Sequence, residues 1–159
     1  MDNYRTAAVE IIRLGLWNRH VQNALAKEVS LPAYQLECLL LLYLDHPESA
    51  GSLAEKMSIH RSSLSKLLSA LQRRGLIERA IGSPDRRRER LTLTDAGLAL
   101  VEQVQSRGEE IARALLELLP NERRTQFMGC VRTITSHEAP VETKQRQNRA
   151  ELSLEQTIQ

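Results

Sequence analysis

Cationic and hydroxyl-bearing side chains are concentrated between His60 and Arg90. This window holds nine Lys and Arg residues against three Asp and Glu residues, whereas the net charge of the whole chain is only +2. Guanidinium and ammonium groups bind phosphate oxygens, and serine hydroxyls form hydrogen bonds with base edges. The window therefore has the chemistry of a surface that binds a polyanion, and nucleic acid is the first class of partner to consider.

One group of these side chains shares the polar face of a predicted helix. The group consists of Arg61, Ser62, Ser63, Ser65 and Lys66. Short serine side chains let a helix backbone approach the major groove of DNA, where Arg can form two hydrogen bonds with guanine. We expect the first residues of this helix to contact bases and Lys66 to contact phosphate.

A second group lies in a predicted turn between two strands. Asp85 precedes three consecutive arginines, Arg86, Arg87 and Arg88, directly after a Gly-Ser-Pro sequence. Crowding like charges at a hairpin tip costs free energy that a polyanion would offset. We expect these arginines to bind in a minor groove and Asp85 to brace one of them through an ion pair.

Hydrophobic periodicity predicts the elements that position both groups. Six helices are predicted over 4–28, 32–45, 50–57, 61–74, 95–119 and 121–137, and two strands over 76–81 and 90–93. The fourth helix carries one apolar stripe, which consists of Leu64, Leu67, Leu68 and Leu71. Ser49 is expected to cap the third helix, and Gly75 is expected to end the fourth. The predicted fold class is mainly α, a winged helix-turn-helix with flanking helices and a two-stranded β-wing.

Composition excludes several other classes of protein. Only 3% of residues are aromatic, which suits helices packed through aliphatic side chains. No nucleophile elbow, phosphate-binding glycine loop, paired carboxylate constellation or metal-ligand spacing is present, so we expect neither an enzyme nor a cofactor. Neither a signal peptide nor an apolar run of membrane-spanning length is present, and a cytoplasmic location is expected.

The two cysteines differ in their predicted surroundings. Cys38 lies in a leucine-rich run, where burial would raise its pKa and suppress its reactivity. Cys130 lies on the predicted sixth helix and could form a disulfide across a dimer interface. A cysteine-based redox response is therefore one alternative for regulation.

The stretch from Ser49 to Gly97 resembles the winged-helix core of the MarR family of bacterial transcription regulators. The matching motifs are Leu53-Ala54, Leu71, Gly75-Leu76-Ile77-Glu78-Arg79, Asp85-Arg86-Arg87 and Leu93-Thr94-Asp95-Ala96-Gly97. The resemblance covers roughly residues 5–138. It implies a homodimer held by the first, fifth and sixth helices, with two recognition helices in successive major grooves of a pseudo-palindromic operator. It also implies that Asp85 and Arg87 are paired in the wing.

The resemblance predicts the organisation of the chain. Residues 1–31 would form an N-terminal dimerisation helix and 32–97 the winged helix-turn-helix DNA-binding domain. Residues 98–138 would form C-terminal dimerisation helices, and 139–159 a polar tail that is either frayed helix or disordered.

Members of the family often bind small aromatic or acidic ligands between the dimer helices and the DNA-binding lobe. The residues here that could line such an effector pocket are Arg13, Trp17, His20 and Tyr34. Trp17 and His20 are three residues apart and therefore share a helical face, although plain packing also explains a lone tryptophan. The expected function is a sequence-specific, homodimeric transcriptional regulator, a repressor released by a small molecule. A ligand-independent architectural DNA binder is the other alternative.

Overall fold

The structure, a computed structural model, describes residues 2–47, 49–81 and 89–137. Within these ranges, the elements are α1 (Asp2–Glu28), α2 (Ala33–Leu44), α3 (Ala50–Lys56), α4 (Arg61–Arg73), β1 (Ile77–Ile81), β2 (Glu89–Leu93), α5 (Asp95–Glu117) and α6 (Asn121–Thr135). All predicted elements are present in the predicted order, with ends shifted by one or two residues. The polar tail predicted over 139–159 lies outside the described residues.

The described residues form two compact units, which divide between Ile111 and Ala112. The first unit contains α1 to α4, both strands and most of α5. In the second unit, Pro120 fixes the backbone just before the first turn of α6, and Arg124 Nε donates a hydrogen bond to the Leu119 carbonyl oxygen at 3.1 Å. That bond satisfies a carbonyl in the connection between α5 and α6.

Leucines from α2, α3 and α4 form the core of the first unit. The stripe predicted on α4 is buried in full, and β1 and α5 contribute Ile77 and Val101. Helix α2 is rich in leucine but buries only one side. Leu36, Leu39 and Leu42 are buried, whereas Leu44 is 62% exposed at the last turn, because α2 faces the core along one side.

Side-chain and backbone caps fix the ends of the short helices. Ser49 caps α3 as predicted, because its hydroxyl accepts a hydrogen bond from the Ser52 N–H at 3.1 Å. Gly75 follows α4 with a φ of +68°, and Leu76 N–H donates to the Leu71 carbonyl oxygen at 3.1 Å. This arrangement is a Schellman motif, which turns the chain from α4 directly into β1.

The two strands form an antiparallel pair whose base is joined to α5. Ile77 pairs with Leu93 at one end of the ribbon. The next residue, Thr94, uses its hydroxyl twice: it accepts from the Gly97 N–H at 3.1 Å and donates to the Gly75 carbonyl oxygen at 2.6 Å. Thr94 therefore caps α5 and ties that cap to the turn after α4.

Gly97 is required by a close backbone contact. A Cβ at this position would overlap the carbonyl oxygen of Leu76 and lie 3.0 Å from its carbonyl carbon. Both atoms are backbone and have little freedom to move. In the Thr-Asp-Ala-Gly sequence at the start of α5, Thr94 thus supplies the hydroxyl cap and Gly97 lets the Leu76 backbone pack directly against the helix.

We predict that Gly97→Ala destabilises the fold by about 1–3 kcal/mol, the usual cost of forced overpacking. Urea unfolding followed by circular dichroism at fixed protein concentration measures the change. Gly108→Ala, on the same helix with no atom within 4 Å of the added Cβ, is the matched control. The control should be neutral or stabilising by up to about 1 kcal/mol. Equal behaviour of the two variants would contradict the role assigned to Gly97.

Candidate nucleic-acid interface

Helix α4 has two chemically opposite faces. The leucine stripe faces the core, and the five residues predicted to contact DNA are all exposed to solvent: Arg61, Ser62, Ser63, Ser65 and Lys66. The burial of the stripe determines this orientation, because a rotated helix would expose leucines. The predicted polar surface is therefore available to a partner.

The turn before α4 is short and tightly hydrogen-bonded. Ser58 adopts a φ of +53°, and Ile59 N–H donates to the Ala54 carbonyl oxygen at 3.0 Å. His60 occupies the N-cap of α4 and makes no side-chain capping bond there. The backbone motif at Ser58, rather than a cap at His60, thus sets the direction in which α4 begins.

A groove of about 290 Å³ lies beside α4, and we call it the α3–α4 groove. Its walls come from α3, α4 and β1, and they include Ser49, Gly51, Arg61, Leu64, Ser65 and Arg79. The Arg61 guanidinium lies across α3, with Nη2 3.0 Å from where a Cβ of Gly51 would be. Arg61 therefore faces this groove as well as solvent.

Arg79 on β1 was not among the residues predicted from the sequence to contact DNA. Its Nη2 donates a hydrogen bond to the Ser65 carbonyl oxygen in α4 at 3.4 Å. The alternation of side chains along a strand could have identified Arg79. It lies two residues after the buried Ile77 and so shares its face of the ribbon. A guanidinium on an inward-directed strand face needs a polar partner, and the Ser65 carbonyl is one.

The β-ribbon expected around the basic turn is present on both sides of that turn. β1 and β2 are antiparallel, in a register that runs from Ile77–Leu93 to Ile81–Glu89. The four residues predicted to act at its tip, Asp85, Arg86, Arg87 and Arg88, lie outside the described residues. The structure thus shows the two strands from which this segment extends.

The residues predicted to line an effector pocket are exposed. Trp17 is 43% and Tyr34 is 55% exposed, and His20 is exposed one turn after Trp17 on α1. Arg13 forms an ion pair with Glu10, with 3.2 Å between Nη1 and Oε1. A pocket that encloses a ligand at these positions would need a further wall beyond the surfaces they present here.

The two cysteines differ in their exposure, and the predicted burial of Cys38 is confirmed. Cys38 is fully buried, and burial, aided by the negative charge of Glu37, raises the pKa of its thiol to about 12. Such a thiol stays protonated at neutral pH and is a poor nucleophile, as expected for a packing residue. Cys130 is exposed on α6.

Two further features, a metal-binding cluster and a membrane-spanning helix, are absent from residues 2–47, 49–81 and 89–137. No three His, Cys, Asp or Glu side chains in these ranges are grouped so that they could hold a metal ion. No described helix combines the length and the apolarity that crossing a bilayer requires.

Known proteins resemble this chain both in sequence pattern and in fold. Residues 31–88 match the model of the MarR family. No functionally curated protein matches the chain.

Several solved structures share the fold. A MarR family protein from Bacillus stearothermophilus is 21% identical with a TM-score of 0.71, and covers 84% of this chain and 96% of its own. Staphylococcus aureus MepR in its DNA complex is 22% identical with a TM-score of 0.63, over 84% of this chain and 97% of MepR. A transcriptional regulator from Thermotoga maritima is 17% identical with a TM-score of 0.62, over 83% of this chain and 93% of the regulator. The chain therefore has the winged helix-turn-helix fold of these structures, and its central residues 31–88 resemble the MarR family.

Proposed function

We propose that this protein is a homodimeric, sequence-specific DNA-binding repressor in the cytoplasm, released from its operator by a small-molecule effector. One observation carries the proposal: the hydroxyl-bearing and cationic face of α4 points to solvent, next to the β-ribbon that leads into the basic turn. MepR, which has a similar fold, has been crystallised with DNA. That likeness supports duplex DNA as the partner.

In the proposed complex, α4 lies in a major groove. Ser62, Ser63 and Ser65 let the helix backbone come close to base edges, and Lys66 neutralises a phosphate. The basic turn reaches the adjacent minor groove, where Arg86, Arg87 and Arg88 meet an enhanced negative potential. Asp85 and Arg87 form the brace that holds this turn, as the family resemblance implies.

A second copy of the chain is proposed to cover the apolar side chains of α1. Only the C-terminal end of α1 reaches the core, through Ala26 and its neighbours. Residues 3–20 are all exposed, and they include Ile11 at 69% and Ile12 at 63%. An exposed apolar stretch of this length indicates an interface. Two symmetry-related copies of α4 would then match a pseudo-palindromic operator.

The effector is proposed to bind at Arg13, Trp17, His20 and Tyr34, with the second copy as the missing wall. An arginine, an imidazole and two aromatic rings suit a small aromatic or acidic molecule. The two α4 helices of the dimer would have one spacing in the DNA complex and another spacing in the ligand complex. A ligand that binds the second conformation more tightly would lower operator affinity, and the size of the effect is set by the ligand's difference in affinity for the two conformations.

We predict that Arg87→Ala weakens operator binding by about 1–3 kcal/mol, because a minor-groove cation is lost. Fluorescence anisotropy on an operator selected from genomic fragments measures the effect. Arg113→Ala removes the same charge from an exposed position on α5 and, once light scattering shows that its mass equals that of the unaltered protein, should leave affinity nearly unchanged. Unchanged affinity of the Arg87 variant would exclude the basic turn from the interface.

We predict that Ser63→Ala and Lys66→Ala weaken binding in different ways. Loss of the Ser63 hydroxyl should change the preference among operator variants, since base contacts specify sequence. Loss of the Lys66 charge should weaken binding to every duplex and make the salt dependence less steep by about one unit per contact. Equal affinity of the unaltered protein for operator and random duplexes would favour the architectural alternative instead.

We predict a mass of twice the 18.0 kDa of one chain by light scattering at micromolar concentration. Ile12→Lys should yield monomer, because a charge would be buried in the proposed interface. Leu44→Lys, a similar change at a similarly exposed residue of α2, should remain dimeric. A monomeric mass for the unaltered protein would contradict the proposed assembly.

A further inference from the structure

The α3–α4 groove brings two guanidinium groups to one side of α4. Arg61 comes from the first turn of α4 and Arg79 from β1. Ser65 of α4 also lines the groove, and its carbonyl oxygen accepts a hydrogen bond from Arg79. None of the described residues that line the groove is Asp or Glu. The site therefore favours an anionic group, and its chemistry differs from that of the serine surface proposed to face bases.

Arg79 is fixed in position by α4. Its Nη2 shares the Ser65 carbonyl oxygen with the Ser69 hydroxyl, at 3.4 Å and 2.8 Å respectively. A guanidinium carries its five N–H donors in a planar fork. The fork matches the geometry of phosphate oxygens, which makes arginine the usual residue for that contact.

Gly51 makes room for the second guanidinium. Because this residue has no Cβ, Arg61 Nη2 can lie across α3, 3.0 Å from where a Cβ would be. Arg61 is thus turned along the side of α4 rather than straight out from its end. Its position suits a group that passes beside the helix.

We propose that the α3–α4 groove binds one backbone phosphate of the DNA duplex, with Arg61 and Arg79 as its ligands. The inference rests on the proposed function; it adds Arg79 to the interface and assigns Arg61 to a phosphate instead of a base. When the second helix of a helix-turn-helix lies in the major groove, the first helix crosses the sugar–phosphate backbone. A groove between α3 and α4 then borders that backbone, and its contact is independent of sequence.

The test is the salt dependence of binding by Arg79→Gln. Each lost phosphate contact should make the slope of log affinity against log salt less negative by about 0.9, and a dimer would lose two such contacts. The loss of affinity should be the same for operator and random duplexes. Arg113→Gln, with the mass of the unaltered protein by light scattering, should keep the original slope. If the unaltered protein binds no duplex, the proposed function itself fails.

An unchanged slope for Arg79→Gln, with altered preference among operator variants, would overturn the phosphate assignment and leave the proposed function intact. A second experiment titrates the protein with inorganic phosphate in the absence of DNA. If Arg79→Gln abolishes binding of free phosphate yet leaves the duplex slope unchanged, the groove takes a free anion and the proposal is wrong.

Gly51→Ala tests the groove without removing a charge or the Arg79–Ser65 bond. The added Cβ would crowd only the mobile end of Arg61, at 3.0 Å, and would lie in ordinary van der Waals contact with Ser49 Oγ at 3.5 Å. The unfolding midpoint should therefore not fall, whereas affinity for all duplexes should drop several-fold. Gly108→Ala is the control and should bind normally. Unaltered affinity of Gly51→Ala, with the fold retained, would exclude Arg61 from the contact.

Discussion

Burial of the leucine stripe of α4 is the constraint on which the rest of this structure depends. Leu64, Leu67, Leu68 and Leu71 are each at most 5% exposed. Complete burial of a leucine side chain contributes about 1.5–3 kcal/mol, so the four together are comparable in size with the net stability of an ordinary domain. Turning α4 about its axis would forfeit much of that free energy. The serine and cationic side chains are therefore held outward by the core beneath them.

A second constraint joins the ribbon to this core. Gly75 ends α4 in a left-handed turn, Thr94 bonds to the carbonyl of that same glycine, and Gly97 packs on the backbone of Leu76. Helix α4, the base of the ribbon and the start of α5 consequently meet at one hydrogen-bonded junction. Arg79 adds a contact from β1 to the middle of α4. The orientation of the ribbon base relative to α4 is therefore set by hydrogen bonds and close packing.

Sequence reasoning predicted the elements well because their signals are local. The apolar stripe of α4, the Ser49 cap and the turn at Gly75 are each encoded within a few residues. Contacts across the fold were harder to predict. The Arg79–Ser65 bond depends on how β1 packs beside α4, and the direction of Arg61 depends on Gly51, ten residues earlier. The proposed effector residues are harder still, since enclosing them requires a surface that this chain alone does not present.

The central claim is that the outward face of α4 and the ribbon bind the same duplex together. Amide chemical shifts of the isotope-labelled protein, followed during titration with an operator duplex, test it most directly. The account predicts that signals from residues 61–66 and from the ribbon around 79–91 change together, at one stoichiometry, while those of buried α2 residues such as Leu39 change little. Changes confined to only one of the two regions, or centred on α1, would contradict it.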